Sequence, residues 1–346
     1  MPGRSELRGY LLARGAEQEE LFKLARAARL ERFGDEVVLR GVVEITNTCR
    51  VNCDYCPMRR DNASHNERFS LSSEEIVRSA RAVRQLGINV VMLQGGETTS
   101  ILLAVEEAIP AIVDLFDGQV EILLNLGCFR RERYVRLREL GATSYILKHE
   151  TSDAELHHRL RHESLRYRLS CLRELIGLGY RVGTGIISGL PGQSIDSILD
   201  DLELAGELGV DMCSVSPFIP ASDTPLGSVS PGDVDLALNI IACLRLAYPT
   251  ILIPSVSALE RAGVAGQSRG LQAGANVLTV NFSPAERRDS YLIYGRSRFV
   301  VTVDHVHEIV RSAGLRTRGS LYVTLPLEAA RGTSSAKEPQ YPVEKL

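Results

Sequence analysis

From about residue 36 onward, short apolar runs alternate with longer amphipathic stretches whose apolar positions recur at helical spacing. The apolar runs fall at 42–46, 90–94, 120–125, 144–147, 181–187, 212–216, 251–254 and 276–280, eight strand candidates in all. The intervening stretches carry helix signals. Ser72-x-x-Glu75 is a capping box ahead of Ile76, Val77, Ala80 and Val83, with Gly87 beyond the helix end. After Gln193-Ser194 a stripe of Ile195, Ile198, Leu199, Leu202 and Leu208 closes at Gly209. Regular strand–helix alternation implies a parallel sheet with right-handed crossovers, and eight units imply closure. The predicted fold is α/β, a (β/α)8 TIM-type barrel, in which functional residues gather at the C-terminal ends of the strands. Before it, Leu7, Leu11, Leu12, Leu21, Leu24, Ala25 and Ala28 predict a helix over 5–32, expected as a cap under the barrel. Beyond it, 331–339 lacks apolar periodicity and reads as a flexible tail. The expected domains are an N-terminal helical cap at 1–35, the barrel at 36–320 and the C-terminal tail at 321–346.

Length agrees with this picture, because 346 residues hold one barrel of about 250 residues plus extensions. A 44% hydrophobic and 24% charged composition supplies a core and leaves disorder to the ends. Net charge is -3 without a long basic block, so no nucleic-acid groove is expected, and the arginines near Arg130, Arg159 and Arg287 read as helix coats. The longest apolar runs, 186–190 and 277–282, fall far short of a membrane span, and the apolar stretch at 9–13 is flanked by charges, unlike a signal peptide. Seven cysteines, an odd number, suit a reducing compartment, so a cytoplasmic location is expected.

Three of those cysteines lie together as Cys49-x3-Cys53-x2-Cys56, directly after the first strand. Three thiolates can hold three irons of a [4Fe-4S] cube and leave the fourth iron open to a small molecule. Zinc completed by a distant histidine, or three unrelated buried thiols, are the plainer alternatives. The spacing, with aromatic Tyr55 before the last cysteine, resembles the radical S-adenosylmethionine enzymes. That resemblance implies a cluster bound by Cys49, Cys53 and Cys56, with S-adenosylmethionine chelated on the open iron. One electron then splits it into methionine and a 5′-deoxyadenosyl radical, chemistry that belongs to the cofactor while the protein positions and shields it.

The strand ends supply partners for such a molecule. Gly95-Gly96 lets backbone approach a ligand closely, and Glu97 offers a carboxylate to an ammonium group. The resemblance implies that this segment orients the methionine amino group. Glu150, at the end of the fourth strand, is expected on the ribose hydroxyls, with a rim salt bridge as its alternative. Arg168 is a fork suited to the methionine carboxylate. Ile187 and Leu190 in the turn after the fifth strand, and Pro217 after the sixth, suit an adenine wall. Cys128, just after the third strand, is a candidate hydrogen-atom donor if its thiol reaches the pocket, and otherwise a small buried hydrophobe. Cys171, Cys213 and Cys243 read as core.

Taken with Glu44, the Arg59-Arg60-Asp61-Asn62 run, His149-Glu150-Thr151, Leu160-Arg161, the 189–193 turn, Pro217-Phe218-Ile219-Pro220, Asp223-Thr224-Pro225-Leu226 and Ala273-Gly274-Ala275-Asn276, these motifs resemble the biotin synthase-like branch. Within it they resemble most the [FeFe]-hydrogenase maturases of the HydE type, then methylornithine synthase. Gly183 and Ser255 stand where a sulfur-donating second cluster would need ligands, and 285–320 holds no cysteine, so one cluster is expected. Thr98-Thr99-Ser100 departs from the relatives' acidic and proline-containing segment, which bears on substrate. The resemblance implies a HydE-like maturase acting on a sulfur- or iron-bearing small molecule, reduced by a donor such as a ferredoxin or flavodoxin. A radical mutase or natural-product enzyme similar to methylornithine synthase is the alternative. A non-catalytic iron–sulfur carrier or sensor is a different class, against which Gly95, Gly96, Glu150 and Arg168 argue, because a carrier needs no grip on methionine or ribose.

Overall fold

A computed structural model describes residues 2–62 and 67–323. In chain order the elements are α1 (Arg4–Leu12), α2 (Ala16–Phe33), β1 (Glu36–Thr46), α3 (Ser73–Gln85), β2 (Val90–Gly95), α4 (Leu102–Leu115), β3 (Glu121–Asn125), α5 (Arg131–Leu140), β4 (Ser144–Ile146), α6 (Ala154–Arg161) and α7 (Leu165–Gly177). There follow β5 (Arg181–Ser188), α8 (Ile195–Leu208), β6 (Met212–Pro217), α9 (Val234–Ala247), α10 (Ser257–Ala262), α11 (Gly266–Gln272), β7 (Val277–Asn281), α12 (Ala285–Arg288), α13 (Val303–Ser312) and β8 (Arg316–Arg318). The capping box of α3 forms as its sequence predicts, Ser72 and Glu75 each satisfying the other's backbone N–H, and Ser194 and Ser197 do the same for α8.

The strands are ordered β6-β5-β4-β3-β2-β1-β7 and pair in parallel. The ring closes between β6 and β7 through 251–254, where Met212 bridges Leu252 and Pro254 bridges Val277. The expected seventh strand is therefore reduced to two bridges, and Pro254 has no N–H for a longer ladder. Buried Arg245 compensates by donating to the carbonyls of Pro249, Ile251 and Gly274 and to Asn276 Oδ1. A (β/α)8 barrel results, with β8 added beside the start of β1.

Period-two alternation sorts each strand between two cores. Val37, Leu39, Val43 and Ile45 of β1 face the helices, whereas Val38 and Val42 join Val90, Met92, Leu123, Ile146, Met212 and Val277 inside the barrel. Above that apolar base the inward positions turn polar, and they line a chamber described below.

Two features differ from the sequence expectation. The predicted helix over 5–32 breaks at Gly15, whose φ of 56° a helix cannot continue. Its halves lie on the barrel's flank, where Asn239 of α9 donates to the carbonyls of Leu11 and Ala13. The barrel floor is packed instead by Phe33, Leu321 and Tyr322, and the Arg181 guanidinium lies 3.9 Å from the centre of the Tyr322 ring. The first residues of the expected tail thus pack on the barrel, while 324–346 lie outside the described residues. No described helix is long and apolar enough to cross a membrane.

Candidate active site

β1 delivers the chain at the barrel's upper rim, and the loop that follows is tied down on several sides. Arg50 N donates to the Glu97 carbonyl, Asp54 N to the Leu160 carbonyl, and Arg68 spans the carbonyls of Asn47, Met58 and Arg59. These ties bring Cys49, Cys53 and Cys56 onto one wall of a cavity of about 170 Å³. Among the described residues no three side chains converge as ligands of one ion would. All three thiols line the same cavity, where a group with several metal atoms could take one thiolate on each. Burial raises the pKa of all three thiols, and for Cys53 and Cys56 neighbouring motif cysteines raise it further. Thiols so placed need positive charge beside them to ionise.

The facing wall is the end of β2. A Cβ on Gly96 would stand 2.2 Å from the Thr48 carbonyl oxygen, so only glycine lets β2 press against the cysteine loop. Glu97 then turns into a buried ionic knot. Arg50 pairs with it, Arg168 Nη1 donates at 3.3 Å, and Arg161 Nη2 lies at 3.7 Å. Glu97 lines the cavity, and its carboxylate also holds three arginines in place. Arg168 lines the cavity as expected, with its Nε bound to the Lys148 carbonyl.

Arg161 was not singled out as a site residue in the sequence, yet it stands at the centre of the constellation. It donates to the Tyr55 hydroxyl at 3.2 Å and to Glu163 at 3.1 Å, and sits 3.9 Å from Glu150. Burial opposes its charge, but Cys53, Tyr55, Glu97 and Glu150 together hold its pKa well above the ordinary arginine value. Its legible signal was an arginine closing an apolar stripe of α6, eleven residues after Glu150.

Glu150 follows β4 in a left-handed conformation, φ 67°, and bridges Ile186 of β5. Its Oε2 is buried without a hydrogen-bond partner among the described residues, an acceptor free for a hydroxyl-bearing ligand. Tyr55, Ile187, Pro217 and Phe218 complete an apolar side of the cavity. The 189–193 turn is tied to itself through Gln193, which accepts from Gly189 N and donates to the Ile187 carbonyl.

Two expected positions move away from the cavity surface. Leu190 is buried behind it with Leu156, Leu160 and Phe218. Cys128 lines neither cavity. Gly127, at φ 89°, turns the chain so that the Cys128 thiol enters the layer between sheet and helices, where it accepts from Arg168 Nη1 at 3.5 Å. The Cys128 thiol thus packs behind Arg168, off the cavity surface. Cys171, Cys213 and Cys243 are buried as expected.

Below, a second chamber opens inside the barrel, sharing Asn125, Lys148, Ile293 and Tyr294 with the first. Its only carboxylate among the described residues, Glu44, is locked in a bidentate pair with Arg298 at 2.5 and 2.7 Å. Two cations line the chamber without an ion pair among the described residues, although Glu121 at the barrel floor acts on Arg40. Arg40 donates to Thr279 Oγ1 and Met212 Sδ, and burial lowers its pKa to about 10. Lys148 stands at the junction of the two cavities. The signal for this row was polar residues on alternate positions of strands that a parallel barrel would otherwise keep apolar.

A family model described as the Radical SAM superfamily matches residues 43–205. The chain is 40% identical over 277 residues to the [FeFe] hydrogenase maturase subunit HydE of Thermotoga maritima, covering 80% of this chain and 79% of that one. It is 30% identical to the 3-methylornithine synthase of Methanosarcina acetivorans, covering 79% and 78% of the two chains. Among solved structures, a methylornithine synthase superposes with a TM-score of 0.76 at 26% identity, covering 91% of this chain and 94% of that one.

Proposed function

Since this chain belongs to the radical SAM superfamily, and so is an enzyme that uses a [4Fe-4S] cluster and S-adenosylmethionine, we propose that it is a HydE-type maturase acting on a small anionic molecule held in the barrel chamber. The observation that carries the substrate class is the chamber's charge. Lys148 and Arg40 face it without an ion pair among the described residues, Arg40 feeling only Glu121 from the barrel floor, while Glu44 is neutralised by Arg298. A carboxylate or comparable anion on a sulfur- or iron-bearing molecule satisfies both cations. A diamino acid of the methylornithine kind would need a free carboxylate for its second ammonium, and the described chamber offers none. That difference favours the maturase reading over the mutase reading.

When bound, the cluster supplies the electron that cleaves S-adenosylmethionine to methionine and a 5′-deoxyadenosyl radical. The chain's part is to hold and shield. Cys49, Cys53 and Cys56 bind three irons. Gly95 and Gly96 would offer backbone carbonyls to the methionine amino group, and Arg168, steadied by Glu97 and joined by Arg161, would hold its carboxylate. Glu150 accepts the ribose hydroxyls, and Ile187, Pro217 and Phe218 flank the adenine. Tyr294 and Ile293 stand on the wall common to both cavities, where they would shield the space between cofactor and substrate from water. Seven free thiols suit a reducing cytoplasm, and a ferredoxin or flavodoxin suits the electron's source.

Two assays test the reading. Anaerobically reconstituted protein under dithionite is expected to release 5′-deoxyadenosine and methionine, and to restore hydrogenase activity in a maturation extract lacking HydE. Cleavage without restoration overturns the maturase assignment. Retained restoration by both Arg40→Met and Lys148→Met variants overturns the anionic substrate class.

A further inference from the structure

We propose that His149 and Asp201, a histidine–aspartate pair sealed behind the barrel wall, are positioning residues that hold Glu150 in the backbone conformation that turns its carboxylate into the site. The proposal rests on the reading of Glu150 as the ribose contact. Both side chains are fully buried, at 0% exposure, and neither lines a cavity. His149 Nδ1 lies 2.8 Å from Thr184 Oγ1 on β5, and its Nε2 lies 3.4 Å from Asp201 Oδ1 on α8. Asp201 Oδ1 also accepts the backbone N–H of Ser152, and Ser152 Oγ donates to the Ser197 carbonyl. One buried carboxylate thereby accepts from the second residue after Glu150 and lies beside the ring of the residue before it, without a hydrogen bond to that ring.

Such a pair is costly in an apolar layer, where a leucine and a phenylalanine would pack without charge or donor. Its Nε2 and Asp201 Oδ2 have no hydrogen-bond partner among the described residues, so the pair is not there for good hydrogen bonding. What lies between its two grips explains it. Glu150 has a φ of 67°, a region that residues with a Cβ avoid and that persists only where surrounding structure over-determines it. The peptide groups of Glu150 are held by Gly185 O and Ile187 N, both at 2.9 Å, and Thr151 N donates to the His149 carbonyl at 2.9 Å, closing a three-residue turn around Glu150. His149 and Asp201 anchor the two ends of that turn to β5 and α8. Without them the turn relaxes to a negative φ, and the carboxylate swings off the cavity.

The test is a set of affinities measured by titration on folded, cluster-loaded protein, with S-adenosylmethionine as the first probe. 5′-Deoxyadenosine and its 2′,3′-dideoxy counterpart, which keeps the 5′-methyl group, serve as a pair differing only in the 2′ and 3′ ribose hydroxyls. Glu150→Ala is expected to weaken S-adenosylmethionine about 10- to 100-fold and to abolish the preference for 5′-deoxyadenosine over the dideoxy compound. His149→Gln and Asp201→Asn are each expected to weaken it about 3- to 10-fold with the same loss of hydroxyl preference, and to add nothing in the Glu150→Ala background. An equal loss in both backgrounds, or retained hydroxyl preference in the single variants, marks a merely structural pair and overturns the proposal. Wild-type affinity in His149→Gln and Asp201→Asn beside a weakened Glu150→Ala overturns it too, while leaving the ribose reading intact. Wild-type affinity in Glu150→Ala overturns the ribose reading itself. Should Asp201→Asn fail to fold, Thr184→Val, which removes only the hydroxyl beside His149, carries the same comparison.

Discussion

Glu150 sits where a glycine would sit without strain, at φ 67°, and keeps one buried oxygen unpartnered. Function and stability therefore oppose each other at this residue. Glu150→Gly relieves about 1 kcal/mol of backbone strain, and it also removes a buried acceptor. The variant is expected to melt at or above the parent temperature while binding S-adenosylmethionine about 10- to 100-fold more weakly. Calorimetry and titration check the two halves; a variant that melts lower would show that the left-handed turn is not strained. Arg161 and Glu97 teach a related lesson. A single arginine in the sequence carries no sign of which carboxylates it will meet, and here one guanidinium faces Tyr55, Glu150, Glu97 and Glu163 together.

The element that joins cluster loop to cofactor wall is the end of β2. Because the nearest atoms to a Cβ on Gly96 are Thr48 backbone atoms at 2.2 and 2.8 Å, Gly96→Ala must push the cysteine loop away. It is expected to cost about 1–3 kcal/mol and to lower iron retention after reconstitution, read by iron assay and denaturant melting. Helix α6 carries a pH-sensitive element of the same wall. His157 is buried with Nδ1 3.2 Å from the Glu163 carbonyl oxygen, and its pKa falls from 6.5 to about 4 through burial first, then the charges of Arg161 and Arg168. The unfolded chain takes up this proton near pH 6.5, whereas the folded protein resists it until about pH 4. The contribution to stability is therefore complete above the higher value and is lost as pH falls toward the lower one, by about 3 kcal/mol. Unfolding curves at pH 7 and pH 4.5 are expected to differ less in His157→Gln than in the parent; equal differences would remove His157 from the account.

At the scale of the whole molecule, residues 283–301 cross the top of the barrel and are pinned to β1 by the buried Arg298–Glu44 pair, with Ser283 Oγ accepting from Glu44 N. Arg298→Ala leaves Glu44 charged and buried, a change of about 3–5 kcal/mol, and frees the segment bearing Ile293 and Tyr294. More S-adenosylmethionine is then expected to be cleaved per product formed, because water and stray hydrogen donors reach the chamber; product analysis by mass spectrometry would show an unchanged ratio if the segment plays no shielding part. The barrel, its strand positions, the cysteine trio and the glycines of β2 were legible in the chain, since each is a local or periodic signal: alternation of two, helical spacing, a capping box, a ligand spacing. Tertiary structure alone decided that 251–254 closes the ring by two bridges, that Gly127 turns Cys128 away from the cavity, and that Arg50, Arg161 and Arg168 converge on Glu97. The direction of a side chain leaving a strand depends on the dihedrals of its loop, and charges dozens of residues apart meet only when the barrel closes, so neither is written in any local pattern.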